Sequence, residues 1–551
     1  MSIYNIAGVS DSRTAAACGK IINNRKGQSL VIASNMSRAQ KLASDLSFFV
    51  EKKVYLMESE DDTFTFYDAK NRDALDKRLK VMKALCMNEE CVIVVPAFAA
   101  IKKLIPKSIF SKNHLDFKVD EEINLDKIPE KMINMGYERV AMIYGKGQFS
   151  IRGSIIDIYS PYDENTYRIE LFDTEIESIR SFDVDTQRSI EKIKEINIYP
   201  ASSIVKDEEA YKRAETLIEN RYSFLDERKH ELLDHIENMD NIQQLEYYID
   251  YFYERPETLI DYMKDSLVII DDPVRIEESV DTRAVEYNMD FKEMLSKGRV
   301  VKEDFDNFPS VEDYQKLYEA DEVFLCTPFV KRVKGVSKYD EIYNIRSMET
   351  LDFNGQMDIF AKEVRKYIKK KYKVLIVCST KDRLENVKDF LSREELINKV
   401  WIKEGTLSRG MDFLDENFVI ITDRDIFGSQ KTKRKKPKKF KNAKPIKAFT
   451  EIKPGDYVVH ENHGVGKYLG IKQLELRGIK KDYMHIKYAG DDVLYVPVEQ
   501  MSLIQKYVGS ESVTPKVYKL SGTEWKKTKA KAKEAIAQMA KELIELSAAR
   551  K

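Results

Sequence analysis

Ser29-Leu30-Val31-Ile32-Ala33 sets the fold class of this chain. After its serine it is a short continuous apolar run, the pattern of a buried strand. Ser37 follows as a candidate N-cap, and Ala39, Leu42, Ala43 and Leu46 then recur at helical spacing. The alternation continues with Val54-Tyr55-Leu56 as a strand, Leu75, Leu79, Met82 and Leu85 as one helix face, and Cys91-Val92-Ile93-Val94-Val95 as the next strand. Strands alternating with amphipathic helices predict a parallel sheet with crossover helices.

On this pattern residues 1–125 are the first part of a parallel-sheet domain. Residues 126–203 change character. Gln148 to Ile158 and Tyr167 to Phe172 read as antiparallel strands of an α+β insertion, split by the turn-rich Ser160-Pro161-Tyr162-Asp163-Glu164-Asn165. Residues 204–318 are mostly helical and rich in tyrosine; within them Ser266-Leu267-Val268-Ile269-Ile270 marks the return to the first domain. Residues 319–430 form a second, smaller α/β domain, with expected strands at Glu322 to Leu325, Val374 to Val377 and Phe418 to Thr422. Its helix carries Leu384, Val387 and Leu391.

A basic linker occupies 431–451. Its lysine-dense part, 431–447, is either a self-repelling extended segment or an arm touching DNA phosphates. Residues 452–520 are expected to hold short curved strands near 456–459, 466–474, 482–488 and 493–497, punctuated by Gly464, Gly466, Gly470, Gly478 and Gly490. That spacing suggests a small SH3-like β-barrel. Residues 521–551 read as one amphipathic helix with Ala532, Ile536, Met539, Leu543 and Leu546 on a stripe. Lys526, Lys527, Lys529, Lys531 and Lys533 crowd its first turns, where they oppose the macrodipole. An unpartnered stripe at the end of the sequence suggests that the natural protein continues.

Composition narrows the function classes. With 551 residues, 92 Lys+Arg and 93 Asp+Glu, the net charge is −1, so any nucleic-acid surface must be local. Five scattered cysteines read as free thiols of a reducing compartment, and Cys86 and Cys91 lack zinc-knuckle spacing. No apolar run reaches the roughly 18 residues of a membrane span, and the N-terminus lacks a signal pattern. The expectation is a soluble, cytoplasmic, multidomain protein that does not engage membranes.

Residues 8–15, Gly-Val-Ser-Asp-Ser-Arg-Thr-Ala, stand where a phosphate-binding loop would precede a helix running from Ala16. The working pattern G-x-x-x-x-G-K-[ST] uses its second glycine for close approach, its lysine for charge and its hydroxyl for magnesium. Gly8 is present, but those three positions carry Arg13, Thr14 and Ala15, and Arg13 fills space that a phosphate would need. This is a degenerate nucleotide loop, consistent with a helicase-like domain that has lost ATP binding. There is no H-E-x-x-H and no G-x-S-x-G. His460 and His463 flank a turn, where turn-stabilising hydrogen bonds are a better reading than a metal pair. No catalytic residue, no metal site and no cofactor are expected for this chain.

Together these pieces resemble the N-terminal half of the bacterial transcription-repair coupling factor family. Gly8 to Ala15 resembles the degenerate loop of its UvrB-like domain. Gly147 to Ile158, Tyr167 to Asp173 and Phe182 to Arg188 resemble its UvrA-docking domain. Ile421 to Gly428 resembles the end of its third domain, and Pro454 to Leu474 its CarD-like RNA polymerase interaction module. The family's other half holds the ATP- and Mg2+-dependent translocase motor and a regulatory domain, so 521–551 would lead into an absent motor.

The resemblance implies UvrA and the RNA polymerase β subunit as partners. It assigns Arg152, Arg168 and Phe172 to UvrA, and Leu474, supported by Ile471, Lys472 and Gln473, to polymerase. Strand parity supports the first set: Arg168, Glu170 and Phe172 share one face and Ile169 and Leu171 the other, leaving an exposed aromatic beside an exposed arginine. The opposing possibilities are that Phe172 packs under a helix while Arg168 pairs with Glu170, and that Leu474 is plain barrel core. For the polymerase contact the strand near Gly470 to Glu475 is the expected edge, open to an added strand. DNA is a third candidate partner, through 431–447 and the terminal helix. The competing functions are a helicase-like ATPase acting on DNA and a CarD-type transcription regulator.

Overall fold

The protein is described by a computed structural model covering residues 2–58, 72–163, 165–184, 186–238, 245–307, 311–428, 453–460, 464–476, 479–489, 493–497 and 504–506. The chain divides into two compact units, Met1–Gln430 and Lys431–Lys551. The lysine-dense 431–447 and the helix expected over 521–551 lie outside the described residues, as does His463.

The centre of the first unit is a seven-stranded sheet. In spatial order its strands are Glu341–Asn344, Ser2–Ala7, Glu322–Thr327, Leu267–Asp271, Ser29–Ala33, Cys91–Pro96 and Lys53–Leu56. Every neighbouring pair is parallel. The run that sets the fold class lies near its middle. Leu30 and Ile32 join one core with Ile93, Val95 and Ile270, while Val31 and Ala33 join the opposite core with Val92, Val94 and Ile269. Both faces are covered, so the middle of the strand has no place for a polar residue. Full burial of each large side chain here stabilises by about 1.5–3 kcal/mol.

Three sequence expectations change here. The helix after the first apolar run begins at Met36, and its cap is Asn35, not Ser37: the extended Asn35 accepts a hydrogen bond from the Arg38 backbone N–H. Glu322–Thr327 belongs to the large sheet and not to the small α/β domain. It fills the gap between Ser2–Ala7 and Leu267–Asp271 in register with both, which gives the N-terminal strand a neighbour on each side. The insertion also starts earlier than residue 126. Leu115–Lys118 pairs antiparallel with Glu195–Ile198, so one two-stranded ribbon carries the chain both in and out.

Beyond that ribbon lies a six-stranded sheet. Its order is Ser189–Ile193, Glu175–Phe182, Thr166–Phe172, Ile155–Tyr159, Gln148–Arg152 and Glu138–Arg139. Ladders are antiparallel except for the last pair. Alternation along these strands sends Phe149, Ile156, Ile158, Ile169, Leu171, Ile176 and Ile179 to a core shared with Met132 of the helix Ile128–Asn134. The small α/β domain has strand order Ser347–Glu349, Met411–Phe413, Phe418–Thr422, Lys373–Cys378 and Trp401–Glu404. Helices Met357–Lys369 and Lys381–Arg393 add Phe360, Val364, Val387 and Leu391 to its core.

In the second unit, Tyr457–His460, Gly464–Leu476, Ile479–Lys487, Val493–Pro497 and Ile504–Lys506 form one antiparallel sheet. Its outer strands are Val493–Pro497 and Ile504–Lys506. They do not pair with each other among the described residues, where the sheet is antiparallel and the closure expected of an SH3-like barrel is not seen.

All five cysteines are free. Burial pushes the Cys86 thiol up to about 11 and the Cys91 and Cys378 thiols up to about 12. Among the described residues no group of three or more His, Cys, Asp or Glu side chains could hold a metal ion, and no helix is long and apolar enough to cross a membrane.

Candidate docking surfaces

In the inserted domain the polar face of the sheet is built by register. Asp157 stands opposite Arg168 on one side and opposite Ser150 on the other, two residues from Arg152. Its carboxylate is 2 % exposed and is shared by both arginines. Arg168 donates two hydrogen bonds to it, Nε to Oδ1 at 2.7 Å and a terminal nitrogen to Oδ2 at 2.9 Å. Arg152 donates to Oδ2 at 2.6 Å. The Arg168 guanidinium also lies over the Phe182 ring, 4.4 Å from the centroid, and donates to Gln187 Oε1 at 3.0 Å. Hydrogen bonding to Asp157 holds Arg168 above its ordinary pKa, against the opposing effect of burial.

Arg168 is therefore a half-buried, immobilised cation, not the freely exposed arginine expected. Its partner is Asp157; Glu170 is answered instead by Arg180 and by Ser178 Oγ at 2.8 Å. Phe172 sits where strand parity puts it. Ile169 and Leu171 are in the core, and Phe172 on the opposite face is 75 % exposed. It stands at the mouth of the hairpin to Glu175, where Asp173 takes φ 55°. The structure thus brings Arg152 and Arg168 onto one carboxylate and places Phe172 on the same face of the sheet. Asp157 escapes the sequence reading, although a lone acid within Ile155-Ile156-Asp157-Ile158 is the signal of a buried charge that needs partners.

In the second unit, Gly464–Leu476 is an interior strand for its first half and, among the described residues, an uncovered edge for its second. Tyr457–His460 covers only Gly464 to Lys467. Tyr468 closes that ladder, donating its N–H to Asp456 O at 2.8 Å and accepting from Gly455 N–H at 2.7 Å. A bulge follows between Tyr468 and Gly470, and Gly470 takes φ 126°, a backbone region closed to most side chains. From Ile471 to Leu476 the strand pairs on one side only among the described residues, with 479–484. Ile471 is 50 % exposed and Lys472 is exposed. Gln473 and Leu474 stand opposite Asp482 and Lys481 in the ladder, while their side chains lie outside the described residues.

The segment Gly8 to Ala15, expected as a degenerate nucleotide loop, is closed. The helix begins at Ser12, earlier than expected, so Arg13, Thr14 and Ala15 form its first turn. Gly8 takes φ 88°, and a Cβ there would lie 2.0 Å from the Ile345 carbonyl oxygen. Arg13 folds back, donating to the Ser347 carbonyl at 2.9 Å and to the Ser10 carbonyl at 3.3 Å. Ser12 Oγ donates to Asp45 Oδ2 at 2.8 Å and accepts from the Arg409 backbone N–H at 3.0 Å. Asp45 Oδ1 accepts from the Ser408 N–H at 2.7 Å, and burial raises the carboxyl above its ordinary pKa. Thr14 and Ala15 are fully buried. The small α/β domain thus fills the mouth of the loop, and the Ser12–Asp45–Ser408 seam is a feature that a single sequence gives no means to pair.

Comparison with known proteins matches two of these regions to domain families. Residues 115–203 match the UvrB interaction domain, and residues 452–508 match the CarD-like/TRCF RID domain. The transcription-repair-coupling factor of Bacillus subtilis (strain 168) is 34 % identical over 574 residues, covering 99 % of this chain and 48 % of that protein. The Staphylococcus aureus (strain MRSA252) protein of the same name is 33 % identical over 568 residues, covering 98 % of this chain and 48 % of its own length. The chain spans about half the length of the curated relatives it matches.

Proposed function

From a chain that is related along its whole length to transcription-repair-coupling factors, we propose an adaptor for transcription-coupled nucleotide excision repair. The sheet within 452–508 binds the β subunit of a stalled RNA polymerase. The inserted domain recruits UvrA. ATP-driven translocation on DNA belongs to the half of the relatives that this chain does not span. The observation that carries the reading is Phe172, 75 % exposed on the same sheet face as two arginines fixed by Asp157. An aromatic and arginines held without rotamer freedom are the usual anchors of a protein interface.

The polymerase arm is supported by the free backbone edge beyond Tyr468. An added strand would take main-chain hydrogen bonds from 471–476, with Ile471, Lys472, Gln473 and Leu474 supplying selectivity. The filled loop at Gly8 to Ala15 supports a structural role for the first domain in place of nucleotide turnover.

Capture on immobilised protein tests both arms. Arg168→Ala and Phe172→Ala are expected to lose UvrA while retaining polymerase, and Leu474→Arg to lose polymerase while retaining UvrA. Undiminished capture by these variants would refute the assignment. Phosphate release above background in the presence of DNA and ATP would return the helicase-like reading.

A further inference from the structure

The small α/β domain carries a basic cluster that neither docking surface uses. Helix Met357–Lys369 ends in Lys366-Tyr367-Ile368-Lys369, and the chain continues Lys370-Lys371-Tyr372-Lys373. Lys369, Lys370, Lys371 and Lys373 are all exposed, and among the described residues none of them makes an ion pair. Lys370 acts on Asp412 through its field alone, and that carboxylate accepts from Tyr367 Oη at 3.0 Å. Cations at a helix C-terminus complement the macrodipole, but that effect fades within the last turn. Lys371 and Lys373 lie past the helix. Lys371 also takes φ 63° at the position after the C-cap, where glycine is favoured and any other residue costs about 1 kcal/mol.

Register extends the cluster onto a second element. Leu375 pairs with Trp401 in the parallel ladder of Lys373–Cys378 with Trp401–Glu404. Lys373 and Lys399, each two residues upstream, are therefore brought to the same end of the sheet. Lys399 is exposed, and Trp401 is 57 % exposed on the outermost strand. The acids on the neighbouring loop, Asp415 and Glu416, are answered by Arg346 and Lys20. Lysines without ion pairs among the described residues, gathered at one end of the small sheet with an exposed indole on its edge strand, make a surface of local positive charge on a chain of net charge −1.

We propose that this end of the small sheet binds the phosphodiester backbone of DNA, with Lys369, Lys370, Lys371, Lys373 and Lys399 as phosphate contacts and Trp401 packed against sugar or base. The contacts are point charges without bidentate arginines, so binding is independent of sequence and steeply dependent on salt.

The test is fluorescence anisotropy of the full chain with a labelled duplex and with its single strand across a salt series. The Lys369→Gln/Lys370→Gln/Lys371→Gln variant is expected to bind at least about tenfold more weakly at low salt and to lower the log–log salt slope by roughly 2–3. Lys373→Gln/Lys399→Gln, on other elements, should act in the same direction if the triple variant melts early. Trp401 emission, read in a Trp525→Phe background, should change on addition of DNA, more with the single strand if the indole stacks on bases. A third variant, Lys433→Gln/Lys435→Gln/Lys436→Gln, controls for the lysine-dense 431–447. Loss confined to that control, with affinity and slope unchanged in the first two variants, would overturn the proposal, as would a full chain that binds neither DNA at low salt.

Discussion

The closed loop at Gly8 to Ala15 and the face around Asp157 use similar groups to opposite ends. At the loop, Arg13, Ser12 and Asp45 bond to Ser347, Ser408 and Arg409, and Thr14 and Ala15 are fully buried. At the face, Arg152 and Arg168 share one buried carboxylate, Arg168 is held also by Phe182 and Gln187, and Phe172 is left in solvent. An arginine bonded to backbone carbonyls of two segments ties them together, whereas an arginine held within its own sheet beside an exposed aromatic is a preorganised surface. The residue types alone do not separate the two cases; their partners do.

The most damaging substitution is Gly8→Ala. It forces an alanine to φ 88° with its Cβ on the Ile345 carbonyl, and is expected to cost about 3 kcal/mol or more in urea unfolding. A loss under about 1 kcal/mol would mean that the loop is slack and open to a ligand. Next is Asp157→Ala, which leaves two arginines without their common acceptor. It should cost about 2–3 kcal/mol, below the full value for a buried pair because the arginines reach solvent, and it should abolish UvrA capture in parallel. Retained capture would show that the arginines do not need to be fixed.

Phe172→Ala isolates the solvent-facing side of this contrast. Stability should move by less than about 0.5 kcal/mol, while UvrA affinity falls by about 1–3 kcal/mol. A change in stability without a change in affinity would make Phe172 a packing residue.

The smallest effect is expected at Asp45. Burial raises its folded pKa above the ordinary 3.8, so the folded chain holds that proton more tightly than the unfolded one. The group's contribution to stability is fully present below 3.8 and is lost as pH rises through the raised folded value. Asp45→Asn should therefore flatten the decline in stability from acid toward neutral pH, as read by urea midpoints. Parallel curves for the two proteins would show that Asp45 does not titrate in this range.

Much of the architecture is legible because burial on both faces writes itself into strand sequences. Ser29–Ala33, Cys91–Pro96 and Leu267–Asp271 each announce a central parallel strand. What they do not announce is which sheet they join, and Glu322–Thr327 is misplaced for that reason: a buried strand reads the same in either sheet. The Phe172 face follows from a period of two, but the partner of Arg168 does not. Two strands have to be aligned to bring Asp157 opposite it and a third to add Arg152, and register is set by turns and bulges that the sequence records weakly. The free edge beyond Tyr468 is half visible, because Gly470 marks the bend while the length of the covering strand is a matter of pairing.

The two-stranded ribbon of Leu115–Lys118 with Glu195–Ile198 bears on ancestry and on engineering. A domain that enters and leaves its host through adjacent, antipaired strands, and keeps an apolar core of its own, is a cassette. Its removal would leave the host's parallel ladder intact but take Tyr162 out of the host's core.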